Sequence, residues 1–155
     1  MEITPILQTH RTCGQTCIAM LAGITLIEAI NIIGKTRATR TGDLKRGLDI
    51  CGISHGDRLI RHKRGRPLPR LCICHFDMEI RPSMPIAGHW VVFHNGTFFD
   101  PHKGETFCET YPSGKLLSYL AIDEISRNKR CKFFLTSGEN PVELLENVHK
   151  GNAIA

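Results

Sequence analysis

At 155 residues, 41% of them hydrophobic, with a formal charge of +5, the chain suits a single folded domain with a real core. No apolar run approaches the ~18 residues of a membrane span, and no basic stretch leads into a long apolar one at the start, so neither a membrane protein nor a secretory leader is expected. Seven cysteines cannot all pair internally, and without a leader they read as reduced thiols of a cytoplasmic protein.

In chain order, "QTHRTCGQTCIAM" (8–20) comes first. Cys13, Cys17, Met20 and Leu21 recur at helical spacing and stop at Gly23, which predicts a helix opening at Cys13. Thr25 and Glu28 form a capping box for a second helix, which Gly34 ends. Leu44, Leu48 and Cys51 share one face of a third, over 42–51, with Gly52 after it.

The character then changes. "DRLIRHKRGRPLPR" (57–70) holds six Arg and Lys, and residues 1–70 carry 12 of the 20 basic residues against 5 of the 15 acidic ones. This segment reads as a solvated basic loop. As a landing site for nucleic acid or an acidic protein it lacks the interleaved aromatics that stack on single strands. "LCICHF" (71–76) predicts a strand and "RPSMPIAG" (81–88) a proline-broken connector. "HWVVFHNGTFFDP" (89–101) is a hairpin, because Asn-Gly suits the two-residue reversed turn. A short helix is expected over 115–124, a strand at 131–137 ("CKFFLTS") and a closing helix at 140–150, capped by Asn140 with Pro141 first. Helices followed by hairpin-linked strands imply an α+β fold with an antiparallel sheet.

With Asn95 and Gly96 as the turn, counting outward pairs His94 with Thr97, Phe93 with Phe98, Val92 with Phe99 and Val91 with Asp100. His89 then shares a face with Asp100, one diagonal step away. That is roughly 7–8 Å at the backbone, a span side chains bridge. An aspartate that orients an imidazole is half of a nucleophilic triad; its bland counterpart is a strand histidine bonded for stability alone. His94, the rival to His89, points to the opposite face. His55, His62, His75, His102 and His149 read as solvated.

Cys13 opens a helix, where free amides and partial positive charge favour a thiolate. Gly14 leaves space for a substrate backbone, and Gln8 offers an amide to a developing oxyanion. Cys17, one turn on, reads as a small core residue. On spacing alone three readings stay open for this stretch: nucleophile, half of a metal site, or core. The zinc reading would draw on His10, Cys13 and Cys17, or on Cys72, Cys74, His75 and Cys108, although zinc frameworks usually use tighter pairs.

The blocks "QTHRTCGQTCIAMLAGITLIEAI" and "GHWVVFHNGTFFDP" resemble the two signature segments of the C39-like, papain-type cysteine peptidases. In that family a glutamine precedes a Cys-Gly that opens a helix, and a later His-aromatic-Val-Val strand leads by hairpin to Asp-Pro. The resemblance spans roughly residues 6–101. It implies a papain-like fold, with Cys13 as nucleophile, His89 as general base and acid, Asp100 as its orienter and Gln8 as oxyanion donor. The chain departs from the pattern at Thr12, where the family often has an acidic residue, and in Gln8, which stands one position nearer the cysteine. The implied activity is acyl transfer on a peptide or protein substrate, with no cofactor, no metal and no membrane partner. The competing class is a non-catalytic binder of the same fold that uses loop 57–70 to hold nucleic acid or an acidic protein.

Overall fold

The computed structural model describes residues 2–78, 87–112 and 114–125. The strand expected at 131–137, the helix expected at 140–150 and most of the connector at 81–88 lie outside them. Among the described residues, three helices precede seven strands: α1 (Cys13–Ala22), α2 (Leu26–Ile33), α3 (Thr41–Ile50), β1 (Ile53–His55), β2 (Ile60–Arg61), β3 (Leu71–Met78), β4 (Ala87–His94), β5 (Thr97–Asp100), β6 (Glu105–Cys108) and β7 (Lys115–Ile125). The architecture is α+β with an antiparallel sheet, as expected.

The helices end where their sequence punctuation says. Gly23 and Gly34 take the left-handed conformation (φ 65° and 71°), and their N–H groups bond back to Ala19 and Ile30. Thr25 and Glu28 close the capping box in both directions. At the start of α3, Asp43 accepts from Arg40 N–H at 2.9 Å and from Lys35 Nζ at 2.7 Å. These donors hold its carboxyl below its ordinary value against the opposing effect of burial.

The sheet runs β1-β7-β3-β4-β5-β6, with β2 also on β7. One apolar cluster joins the three helices to Ile73, Trp90, Val92, Phe99 and Leu120. Alternate positions, Cys72, Cys74, Phe76, Val91 and Phe98, form a second cluster. Fully burying one such large side chain is worth about 1.5–3 kcal/mol, so these clusters supply the drive that fixes the layers.

The short helix expected over 115–124 is instead strand β7. Its Leu-rich, Ala- and Glu-containing sequence has helical propensity. Yet β7 pairs with β3 from Cys72↔Ala121 to Asp77↔Lys115, and with β1 and β2 on its other edge. Ladders filled on both edges outweigh propensity differences of about a few tenths of a kcal/mol per residue. No single helix among the described residues is long and apolar enough to cross a membrane.

Candidate active site

The β4–β5 hairpin has the register counted from its turn: Val92↔Phe99, Phe93↔Phe98, His94↔Thr97. Asn95 and Gly96 both have positive φ (49° and 85°), as a type I′ turn requires. That register carries His89 to Asp100, and the His89 Nε2–H donates to Asp100 Oδ1 at 2.8 Å. His94 turns away and lies 3.1 Å from the Asn95 side chain.

Cys13 is the first residue of α1 and lies near enough to His89 for its thiol to raise the pKa of the imidazole. With Nε2 engaged by Asp100, Nδ1 is the ring nitrogen left to serve Cys13. Thiol, imidazole and carboxylate are thus brought together, with the imidazole and carboxylate directly hydrogen-bonded. Burial pulls the His89 pKa down, but the bonds to Asp100 and Cys13 and their negative charge outweigh it and hold the imidazole at about 9. Burial pushes Asp100 up, while His89, the His102 N–H and Tyr111 together bring it below its usual value.

Accessibility separates the two opening cysteines. Cys13 keeps 8% of its surface exposed and Cys17 none. Burial, then the charges of Cys13 and Asp100, drive the Cys17 thiol well up, so it is an inert core thiol. The Thr12 side chain does not cap α1; it bonds within the 9–12 turn, to Thr9. The N-terminal amides beside Cys13 therefore have no side-chain cap.

Four placements differ from the sequence reading. Gly14 does not clear a path for substrate. A Cβ there would strike Thr39 Oγ1 and come within 2.9 Å of Leu44 Cδ2, so glycine is needed for interior packing. Gln8 lies beside the relay, but its amide nitrogen donates to His102 Nδ1 at 3.3 Å. His75 and His55 are not solvated. His75 packs on Trp90 at 4.4 Å, with burial lowering its pKa, and His55 lies 3.1 Å from Asp49 with its side chain 7% exposed.

Two contributors were not singled out from the sequence. The Tyr111 hydroxyl donates to Asp100 Oδ2 at 3.0 Å, from a loop that closes over the carboxylate. Gln15, fully buried, donates to Lys35 O and Arg37 O at 2.8 and 2.7 Å, while Trp90 Nε1–H donates to Thr39 O at 3.3 Å. Residues 35–39 are thereby tied both to the helix that carries Cys13 and to the strand that carries His89. Neither residue has a local sequence signal, since each acts on partners distant in the chain.

The remaining candidates fall elsewhere. The Cys72 and Cys74 sulfurs lie 3.7 Å apart in the second apolar cluster, and Cys108 is exposed on β6. Among the described residues no group of three His, Cys, Asp or Glu is arranged to hold a metal. All six Arg and Lys of loop 57–70 are exposed. The loop's end is tied to the hairpin tip by Arg70–Asn95 bonds of 2.9 and 3.0 Å. That tip is six residues from His89, roughly 20 Å at the strand rise. No protein-family model matches the chain, and no curated protein does either.

Proposed function

We propose that the chain is a papain-like cysteine hydrolase of the C39-like type, a peptidase or isopeptidase working by acyl transfer. The observation that carries this reading is the His89–Asp100 hydrogen bond, with the Cys13 thiol acting on the same imidazole from the start of α1. A buried imidazole held between a thiol and a carboxylate is the arrangement nucleophilic thiol catalysis needs, and a solely structural histidine needs no thiol.

In this reading the Cys13 proton resides on His89 Nδ1 before attack, as the raised His89 pKa favours, and the Cys13 sulfur attacks the substrate carbonyl carbon. The oxyanion is received by the uncapped Cys13 N–H and by Gln8, whose amide turns from His102 to reach it. His89 returns the proton to the departing amine as the C–N bond breaks, leaving a thioester on Cys13. His89 then takes a proton from water, which attacks the thioester and releases acid and thiol. Asp100 keeps Nε2–H in place throughout and stabilises the imidazolium. The same groups would serve a deamidase or an acyl transferase.

The test is hydrolysis of a fluorogenic peptide library, with covalent capture by an epoxysuccinyl peptide read by mass spectrometry. Wild type is expected to turn over part of the library and carry the adduct on Cys13. Cys13→Ala and His89→Ala are expected to lose both. A fully folded Cys13→Ala that retains turnover would sink the assignment.

A further inference from the structure

Two turns flank the relay. The first, residues 9–12, leads into Cys13; the second, 101–104, follows Asp100 directly. They are stitched side by side: Gln8 N–H donates to Pro101 O at 2.7 Å, and the Gln8 side chain reaches His102. Gly104 (φ 64°) abuts Leu7 so closely that a Cβ there would sit 3.3 Å from the Leu7 Cβ. The His102 ring stands edge-on to His89 with centroids 6.2 Å apart, so the second turn forms the wall beside the reacting imidazole.

The side chains these turns present are of one kind. His10, Arg11, His102 and Lys103 are all exposed, and none forms an ion pair among the described residues. Neither residues 3–12 nor residues 101–104 contain a carboxylate. Asp100, which precedes the second turn, is 3% exposed and fully engaged by His89, the His102 N–H and Tyr111, and the exposed Glu105 follows that turn on β6. Arg11 is held at φ 58°, a left-handed conformation that is strained for a non-glycine residue and tends to persist at functional sites. Lys103 rests over the Phe107 ring with its Nζ 5.5 Å from the centroid, which limits where its charge can swing.

We propose that this rim selects substrates carrying negative charge next to the bond to be cleaved: acidic peptide or protein segments, with Arg11 and Lys103 as the specificity-determining cations. The inference rests on the hydrolase reading of Cys13 and adds the substrate class. A surface of one sign of charge beside the reacting groups raises the local concentration of anionic partners. The basic loop 57–70 is tied at Arg70 to the far end of β4 and at His62 to β7, two strands away from β4.

The experiment compares alkylation of Cys13 by anionic iodoacetate and by neutral iodoacetamide, reagents of similar size. The readout is the ratio of the two rates by mass spectrometry. Using the ratio cancels intrinsic thiol reactivity and folding differences between variants. The double variant Arg11→Glu with Lys103→Glu is expected to lower the ratio about threefold or more at low ionic strength, with the difference shrinking in high salt. The pair Arg64→Glu and Arg66→Glu makes the same change in net charge in loop 57–70 and is expected to leave the ratio unchanged. A reactive Cys13 whose ratio is unmoved by the Arg11/Lys103 pair, or moved equally by the loop pair, overturns the rim proposal alone. A Cys13 inert to both reagents overturns it together with the hydrolase reading.

Discussion

The Tyr111 hydroxyl stands 3.0 Å from Asp100 Oδ2, the oxygen that His89 leaves unused, while Oδ1 accepts both His89 Nε2–H and the His102 N–H at 2.8 Å. The carboxylate is therefore fixed at both oxygens and cannot rotate away from the imidazole. Tyr111→Phe keeps the ring stacked 4.4 Å from Phe76 and removes only the hydroxyl. A hydrogen bond to a charged group is worth about 1.5–3 kcal/mol, so kcat/KM is expected to fall roughly tenfold, with kcat taking the loss. Tyr111 also helps to depress the Asp100 pKa, so the acidic limb of the pH–rate profile should move upward. An unshifted profile with unchanged kcat would leave Tyr111 a packing residue.

His89 makes stability depend on pH in a stated direction. Its folded pKa, about 9, lies above its ordinary 6.5. The stability it contributes is therefore complete below about pH 6.5 and is lost as pH rises through 9. Denaturant unfolding of wild type and His89→Gln from pH 6 to 9.5 should show the stability gap narrowing by about 3 kcal/mol. A gap that is flat or widens across that window contradicts the coupling of His89 to Asp100 and Cys13.

Glycines in α1 and α3 should respond oppositely to alanine. Helix propensity alone favours Ala by about 1 kcal/mol. Around Gly42 nothing lies within 4 Å of the added Cβ, so Gly42→Ala should raise Tm. Gly14→Ala drives a methyl into Thr39 and Leu44 and should lower stability by about 1–3 kcal/mol. It should also disturb activity, because Thr39 is bonded to Trp90 beside His89.

Much of the relay is legible before any coordinates, because its parts follow from local rules. The Asn95-Gly96 turn allows only a tight register, and from it the meeting of His89 and Asp100 follows by counting. Gly23 and Gly34 end helices through their own backbone freedom. What was not legible depends on pairing across long separations. β7 has a helix-like sequence and is a strand because β3 and β1 lie on either side of it. β1, β2 and β6 are two to four residues long, too short to show a period. Tyr111 and Gln15 act through a carboxylate and carbonyls that only the folded chain brings near.

Gln8 tests how the oxyanion is held. Its amide is bonded to an exposed histidine at 3.3 Å, a weak tie that substrate can displace. Gln8→Ala is expected to lower kcat about a hundredfold with little change in KM, the signature of a donor used in the transition state. A rate within about twofold of wild type would reduce Gln8 to a tie between the two turns.

Cys108 is exposed, whereas Cys13 keeps only 8% of its surface. Accessibility alone therefore ranks Cys108 as the faster thiol, and activation by His89 ranks Cys13 first. The decisive measurement is the rate of iodoacetamide labelling at each cysteine at pH 6, in wild type and in His89→Ala. The account predicts that Cys13 labels faster than Cys108 in wild type and slower once His89 is gone. If Cys108 labels first in both proteins and Cys13 is indifferent to His89, the relay is a structural hydrogen bond and the hydrolase reading fails.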